Sequence, residues 1–174
     1  MRALITGGAG FIGSHLSERL IQGGHHVAVL DDLSTGSLRN IAHLRNHPRF
    51  RYQIGSVTDE TLVAKMMAQA DVVFHLAAAV GVKLVTSRPV HTIETNMNGT
   101  ETVLRQASRH KTLVVVASTS EVYGKSTVFP FREDADLVVG ASSKTRWGYA
   151  TSKLLDEFLA LGYWKEYQTP VIVV

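Results

Sequence analysis

The chain has no cysteine among its 174 residues. That absence excludes a disulfide framework and any thiolate metal site, and it fits a reducing, cytoplasmic setting with no resident metal. No apolar run approaches the roughly 20 residues needed to cross a bilayer. The first residues lack the charged start, apolar stretch and small-residue cleavage site of a signal peptide, and lead directly into a strand-like segment, Arg2 to Thr6. Charge of one sign is also scarce. The net charge is +3 and the basic residues are scattered. The densest basic patch runs from Arg39 to Arg51 with His43, Arg45, His47 and Arg49 between, and reads better as a solvated loop than as a nucleic-acid surface. Neither a membrane nor a nucleic acid is therefore expected as a partner. What the chain has in ordinary supply is apolar content, 45%, enough for the core of one domain and too little length for two.

Strand and helix patterns alternate almost from end to end. Ala3-Leu4-Ile5 reads as a buried strand, and Phe11 to Gln22 as a helix with Ile12, Leu16, Leu20 and Ile21 on one face, stopped by Gly23-Gly24. His26 to Leu30 is a second strand, a third lies near Phe50 to Ile54, and Asp71 to Leu76 is a fourth after a helix over Glu60 to Ala70. A long helix over His91 to His110 precedes a fifth strand over Thr112 to Ala117. A further helix over Tyr149 to Tyr167 leads into a sixth strand at Pro170 to Val174. Near-continuous Val/Ile/Leu strands separated by helices predict a doubly wound, Rossmann-type parallel sheet with helices on both faces. The long loop from Gly124 to Trp147 is expected to border a functional site. Because the chain stops inside a strand pattern, it is expected to be the front part of a longer protein whose substrate-binding region lies beyond Val174.

Two local patterns carry chemistry. The first is Thr6-Gly7-Gly8-Ala9-Gly10-Phe11-Ile12-Gly13, between a strand and a helix. Gly7 permits the tight turn, Gly10 lets backbone approach a pyrophosphate, and Gly13 lets the helix pack close to the sheet. Free N–H groups and the positive end of the helix dipole then meet the phosphates, with Phe11 and Ile12 in that first turn. Asp31 closes the second strand, where a carboxylate accepts from ribose hydroxyls and repels a 2′-phosphate. NAD is therefore expected over NADP, although Arg39 keeps NADP open. Asp32 either shares the ribose or starts the turn that follows.

The second pattern is Tyr149-Ala150-Thr151-Ser152-Lys153, a phenol and an ammonium one helical turn apart. A cation near the phenol lowers its pKa, so this tyrosine is expected to take a proton from a hydroxyl while hydride leaves the same carbon. Ser118-Thr119-Ser120-Glu121 follows a buried strand at the edge where open α/β sheets bind ligands.

Together with LDDLSTG, FHLAA at 74–78, TNMNGT at 95–100 and STSEVYG at 118–124, these patterns resemble the extended short-chain dehydrogenase/reductase family of nucleotide-sugar epimerases, dehydratases and decarboxylases. The resemblance implies an NAD-dependent enzyme acting on a UDP-linked sugar. It implies that Asp59 faces the adenine, that Leu76, Ala77 and Ala78 line the cofactor, and that Asn96 supports the central helix. It also implies that Thr119 hydrogen-bonds the reacting hydroxyl, that Tyr149 is the base, and that Lys153 binds the nicotinamide ribose. Ser120 stands where dehydratases carry an aspartic acid. Thr119-Ser120-Glu121 resembles UDP-glucuronate decarboxylases, with Glu121 as an acid, whereas the LDDLSTG loop resembles UDP-glucose 4-epimerases. The balance leans to 4-epimerisation, with decarboxylation as the alternative and a non-catalytic NAD-binding fragment as a reading of another class. A homodimer through the two long helices is expected from the same resemblance, and these helices carry more apolar residues than one core-facing stripe needs.

Overall fold

The computed structural model describes all 174 residues. Six strands, β1 (Arg2–Thr6), β2 (His26–Asp31), β3 (Phe50–Ile54), β4 (Val72–His75), β5 (Leu113–Val116) and β6 (Val171–Val173), form one sheet in the order β3-β2-β1-β4-β5-β6. Every neighbouring pair is parallel. Five α-helices cover it: α1 (Phe11–Gln22), α2 (Glu60–Met67), α3 (Val82–Ser87), α4 (Pro89–His110) and α5 (Arg146–Tyr167). The doubly wound sheet is the one expected. No helix is long and apolar enough to cross a membrane.

Because side chains alternate along a strand, each central strand feeds two cores. Leu4, Leu30 and Val73 point to the face covered by α2, α4 and α5, where they meet Val63, Met67, Leu104 and Ala160. Ile5, Val27 and Val29 point to the other face and meet Ile21 of α1 and Ile41 and Leu44 of a 3-10 segment, Leu38–Leu44. All the strands are parallel, so the whole sheet needs this double cover.

The differences from the sequence reading have local causes. Helix α3, the segment Leu38–Leu44 and a second 3-10 segment at Ser120–Tyr123 lie in stretches to which the sequence pattern assigns no helix, because they are too short to show a period. On α1, Ile12 is 67% exposed rather than part of the core face. The buried face is Gly13, Ser14, Ser17 and Ile21, small residues that let the helix start lie close against the sheet. On α5 the expected pattern is inverted: Ser152, Lys153 and Asp156 are buried, while Phe158, Leu161 and Trp164 are more than half exposed. The long loop after Gly124 doubles back through a bridge between Gly124 and Val138, and its Phe131 stacks on Tyr123 with ring centroids 4.8 Å apart.

Between α4 and the sheet lies a buried polar column. His75 Nδ1 is 2.8 Å from Thr6 Oγ1, and His75 Nε2 is 3.0 Å from Thr100 Oγ1 on α4. Burial pushes the imidazole down to about 3, and the Lys153 ammonium pushes it the same way. The neutral ring then needs one hydroxyl as donor and the other as acceptor, an arrangement the two threonines supply.

His75 therefore stays neutral in the fold while the unfolded chain protonates it near its ordinary value. Its contribution is fully present above about pH 6.5 and is lost as pH falls toward about 3, at about 1.4 kcal/mol per pH unit from this group. In urea denaturation, His75→Gln should lose less stability than the parent between about pH 7 and about pH 4. Parallel pH dependences in the two chains would contradict this.

Candidate active site

Strand order reverses between β1 and β4, and the crevice at their C-terminal ends is where open α/β sheets bind ligands. Gly7 follows β1 with φ +71°, and a Cβ there would lie 2.8 Å from the backbone nitrogen of Ala77, just past β4. A Cβ on Gly13 would lie 2.5 Å from the Gly7 carbonyl oxygen. Both positions require glycine, one for its dihedral and both for contact. The first-turn N–H groups of a helix have no partner inside it. Gly10 caps α1 without a side-chain hydrogen bond, and no acid sits in the first turn. Those donors are free for an anion, with Phe11 and Ile12 exposed beside them.

Asp31 is buried at the end of β2. Its Oδ2 accepts from the Ala9 N–H at 2.9 Å, and its Oδ1 from the Leu33 N–H at 2.8 Å. The carboxylate is thus fixed against the glycine turn. Asp32 is exposed and accepts from the Ser34 N–H at 2.9 Å, so it starts the turn. A cleft beside it is lined by Asp31, Asp32, Val57, Ala77, Ala78 and Thr95. Leu76 packs instead against the α1-side core. Asp59 is not among the lining residues. Its Oδ1 accepts from the Leu62 N–H at 3.0 Å and caps α2. Asn96 on α4 is buried, accepting from the Ala79 N–H at 2.7 Å and donating to the Ser152 hydroxyl at 3.0 Å. It ties the cleft wall to α5.

Thr119 ends the stretch after β5, and its hydroxyl accepts from the Glu121 N–H at 3.3 Å as the chain turns into the 3-10 segment. Tyr149 lies in the first turn of α5. Its phenol is pushed above the usual tyrosine range, first by burial and then by the Glu121 carboxylate, while a hydrogen bond with Thr119 pulls the other way. Thr119 and the Glu121 carboxylate thus both lie near enough to Tyr149 to act on its phenol. A cavity of about 650 Å³ opens beside Thr119, with Tyr123, Glu133 and Leu161 in its wall.

Lys153 departs from expectation. Its Nζ donates to Asp156 Oδ2 at 2.7 Å in a pair almost wholly buried. The phenol is raised by burial and by Glu121 rather than lowered, and the lysine charge is answered one turn further along α5 by the aspartate. The sequence reading missed Asp156, His75 and Thr100. A Lys–Asp spacing of three on a helix reads as a surface pair, and the burial that changes its meaning belongs to the tertiary fold. It also missed Glu157, which accepts a hydrogen bond from Ser118 and fastens α5 to the end of β5. No group of three or more His, Asp or Glu side chains gathers to hold a metal ion.

Residues 4–174 match the family model described as GDP-mannose 4,6 dehydratase. A UDP-N-acetyl-alpha-D-glucosaminuronate decarboxylase of Bacillus cytotoxicus is 48% identical over 93% of this chain and 50% of its own length. Among solved structures, a dTDP-glucose 4,6-dehydratase of Streptomyces venezuelae with NAD and TYD bound is 34% identical, with TM-score 0.90, over 99% of this chain and 54% of that one. A UDP-glucose 4-epimerase of Thermotoga maritima with UDP-glucose is 29% identical with TM-score 0.87, over 99% and 54%. The chain spans about half the length of these relatives. With the family model, the glycine turn and the Thr119–Tyr149 site in agreement, the chain belongs to the extended short-chain dehydrogenase/reductase family of nucleotide-sugar dehydratases, decarboxylases and epimerases.

Proposed function

We propose that this protein binds NAD and decarboxylates a UDP-linked uronic acid through oxidation at C4. The observation that supports the reading is Glu121, two residues after Thr119, with its carboxylate near enough to Tyr149 for the charge to act on the phenol. The relative at 48% identity, a uronate decarboxylase, moves the weight from 4-epimerisation, favoured by the LDDLSTG loop, to decarboxylation. Ser120 in place of a dehydratase's aspartic acid argues against dehydration.

The residues present fit the cofactor. The uncapped start of α1 and the Gly7–Gly13 approach would hold a pyrophosphate, and Asp31 would face the adenosine ribose. Ala77 and Ala78 would line it, and Asp59, beyond its capping bond, would face the adenine. The nicotinamide would supply a place for hydride from C4 and return it at the end. Tyr149 takes the proton of the 4-hydroxyl, with Thr119 sharing its hydrogen bond. The resulting 4-ketone stands β to the C5 carboxylate, which leaves as carbon dioxide, and its bonding electrons pass into the C4–C5 enolate. We assign to Glu121 the delivery to C5 of a proton it takes up from solvent. A cytoplasmic setting suits a nucleotide-sugar substrate and a chain without cysteine.

NAD should bind more tightly than NADP in calorimetric titration, and Asp31→Ala should narrow the difference. Gly7→Ala should abolish binding of both, since its Cβ has no room. Equal affinity of the parent for the two nucleotides would contradict the ribose role.

Tyr149→Phe should cost activity by about 10²–10⁴-fold while leaving NAD affinity largely intact. Burial and Glu121 raise the phenol, so the rate should climb as pH rises toward its titration. Carbon dioxide release from UDP-glucuronate or its N-acetyl counterpart, measured beside turnover of UDP-glucose, decides between the reactions. Decarboxylation should fall sharply in Glu121→Gln, whereas 4-epimerisation should be nearly indifferent. Neither substrate turned over, with Tyr149→Phe indistinguishable from the parent, would leave an NAD-binding module without catalysis.

Assembly follows from α5. Leu155, Phe158, Leu161 and Trp164 are exposed. A homodimer pairing α4 and α5 with their copies would cover part of this stripe. Light scattering should give twice the chain mass, and Phe158→Glu should shift it to monomer. A parent chain that stays monomeric at high concentration would contradict the dimer.

A further inference from the structure

The strands end in two places, and the end away from the cofactor crevice is basic. Leu4 and Ala28 pack on the α2 side of the sheet, whereas Val27 and Phe50 pack on the α1 side. Side chains alternate along a strand, so Arg2, His26, Arg49 and Arg51 all project to the α2 side. Register pairs Arg2 with His26, Leu4 with Ala28, and Ala28 with Arg51. The Val27 N–H donates to the Arg49 carbonyl at 2.8 Å, which extends the ladder one residue ahead of β3. A basic row of Arg2, His26 and Arg49 therefore crosses three strands, with Leu4, Ala28 and Arg51 as the row behind it.

Helix α2 ends at Met67 beside these rows. Between its last turn and the sheet lies a pocket of about 290 Å³, with Leu4, Ala28, Met66 and Ala70 as apolar lining. Arg2, His26, Arg49 and Arg51 line it too, and no acidic side chain does. Asp71 answers Arg2, accepting from its backbone N–H at 2.7 Å and from its guanidinium at 2.6 Å. Arg49 and Arg51 enter none of the chain's ion pairs. Their Cα atoms, two residues apart on one strand face, are about 7 Å apart. Like charges so placed repel unless an anion lies between them.

We propose that this pocket is a binding site for an organic phosphomonoester, with the phosphate between the Arg49 and Arg51 guanidinium groups and an apolar body against Ala28, Met66 and Ala70. A phosphomonoester carries about −1.5 to −2 charges at pH 7, which matches two unanswered guanidinium groups, whereas a carboxylate brings a single charge. The planar fork of arginine also fits phosphate oxygens in pairs. The apolar lining gives the ester body a place that bare phosphate leaves empty. The pocket and the cofactor crevice occupy opposite ends of the same strands, so neither reading depends on the other.

The experiment titrates phenyl phosphate into isotope-labelled protein and follows backbone amide shifts by NMR. Amides of Ala28, Arg51 and Ala70 should shift saturably, with half-saturation near about 1 mM. Arg49→Gln and Arg51→Gln each remove a charge-assisted contact and should weaken binding about tenfold. Both side chains are exposed, so the variants keep the fold. Benzoate lacks the second charge and inorganic phosphate lacks the apolar body, so each should bind at least about tenfold more weakly. No saturable shift by about 10 mM phenyl phosphate overturns the proposal. So do shifts confined to Gly7–Gly13, where the free donors of α1 also meet an anion. Equal binding of benzoate or inorganic phosphate, or unchanged affinity in both arginine variants, overturns it as well.

Discussion

The contact on which the site depends is backbone against backbone at the reversal of strand order. Gly7, leaving β1, lies so close to Ala77, leaving β4, that a Cβ does not fit between them. That contact sets the angle at which the chain enters α1, and Gly13 then lets the first turn rest on the Gly7 carbonyl. Asp31 joins the same arrangement from β2 by accepting the Ala9 N–H. Three strand ends are thereby locked around one crevice. The free donors of α1 face it because no side chain caps the helix.

Behind the crevice the core is not purely apolar. A column of hydrogen-bonded side chains runs from Thr6 through His75 to Thr100, linking β1, β4 and α4, and the buried Asp156–Lys153 pair of α5 lies beside it. Each member is buried, and an unpartnered polar group there costs on the order of 1–3 kcal/mol. The column therefore constrains α4 and α5 in rotation as well as in separation, because sliding either helix would orphan several groups at once. Asn96 adds a second tie of the same kind between the Ala79 backbone and Ser152. The first turn of α5, with Tyr149, is held by polar contacts that have one geometry, whereas apolar packing alone accepts many.

Much of this was legible in the sequence. Val/Ile/Leu strands spaced by helices identify a doubly wound sheet, and the glycine turn places itself between β1 and α1. Tyr149, distant in sequence from Thr119 and Glu121, is brought near them by the fold. The failures are equally specific. Ile12 shares the period of the α1 core face and yet is exposed, because the close approach at Gly13 turns small residues inward. Asp59 sits at a motif position but also caps α2, and local pattern does not show which of its oxygens is in use. Lys153 looks like the partner of Tyr149 by spacing alone. What spacing does not carry is a second charge three residues on, brought under cover by α4 and β4.

Helix α5 gathers these constraints into a single element. Its sequence is amphipathic in reverse, with hydroxyls and a charged pair inward and Leu, Phe and Trp outward. Ala160, Leu159 and Tyr163 pack on the core, but the largest apolar side chains of the helix face away from it. Two other terms add to that packing: the polar contacts on the inner side, and cover for the outer apolar stripe. The first fixes the rotation of Tyr149 about the helix axis. The second sets how firmly the helix stays on the sheet. The geometry of the reacting phenol and the fate of an exposed stripe opposite it are thus coupled through one rigid helix, so that whatever covers Phe158 and Trp164 also steadies Tyr149.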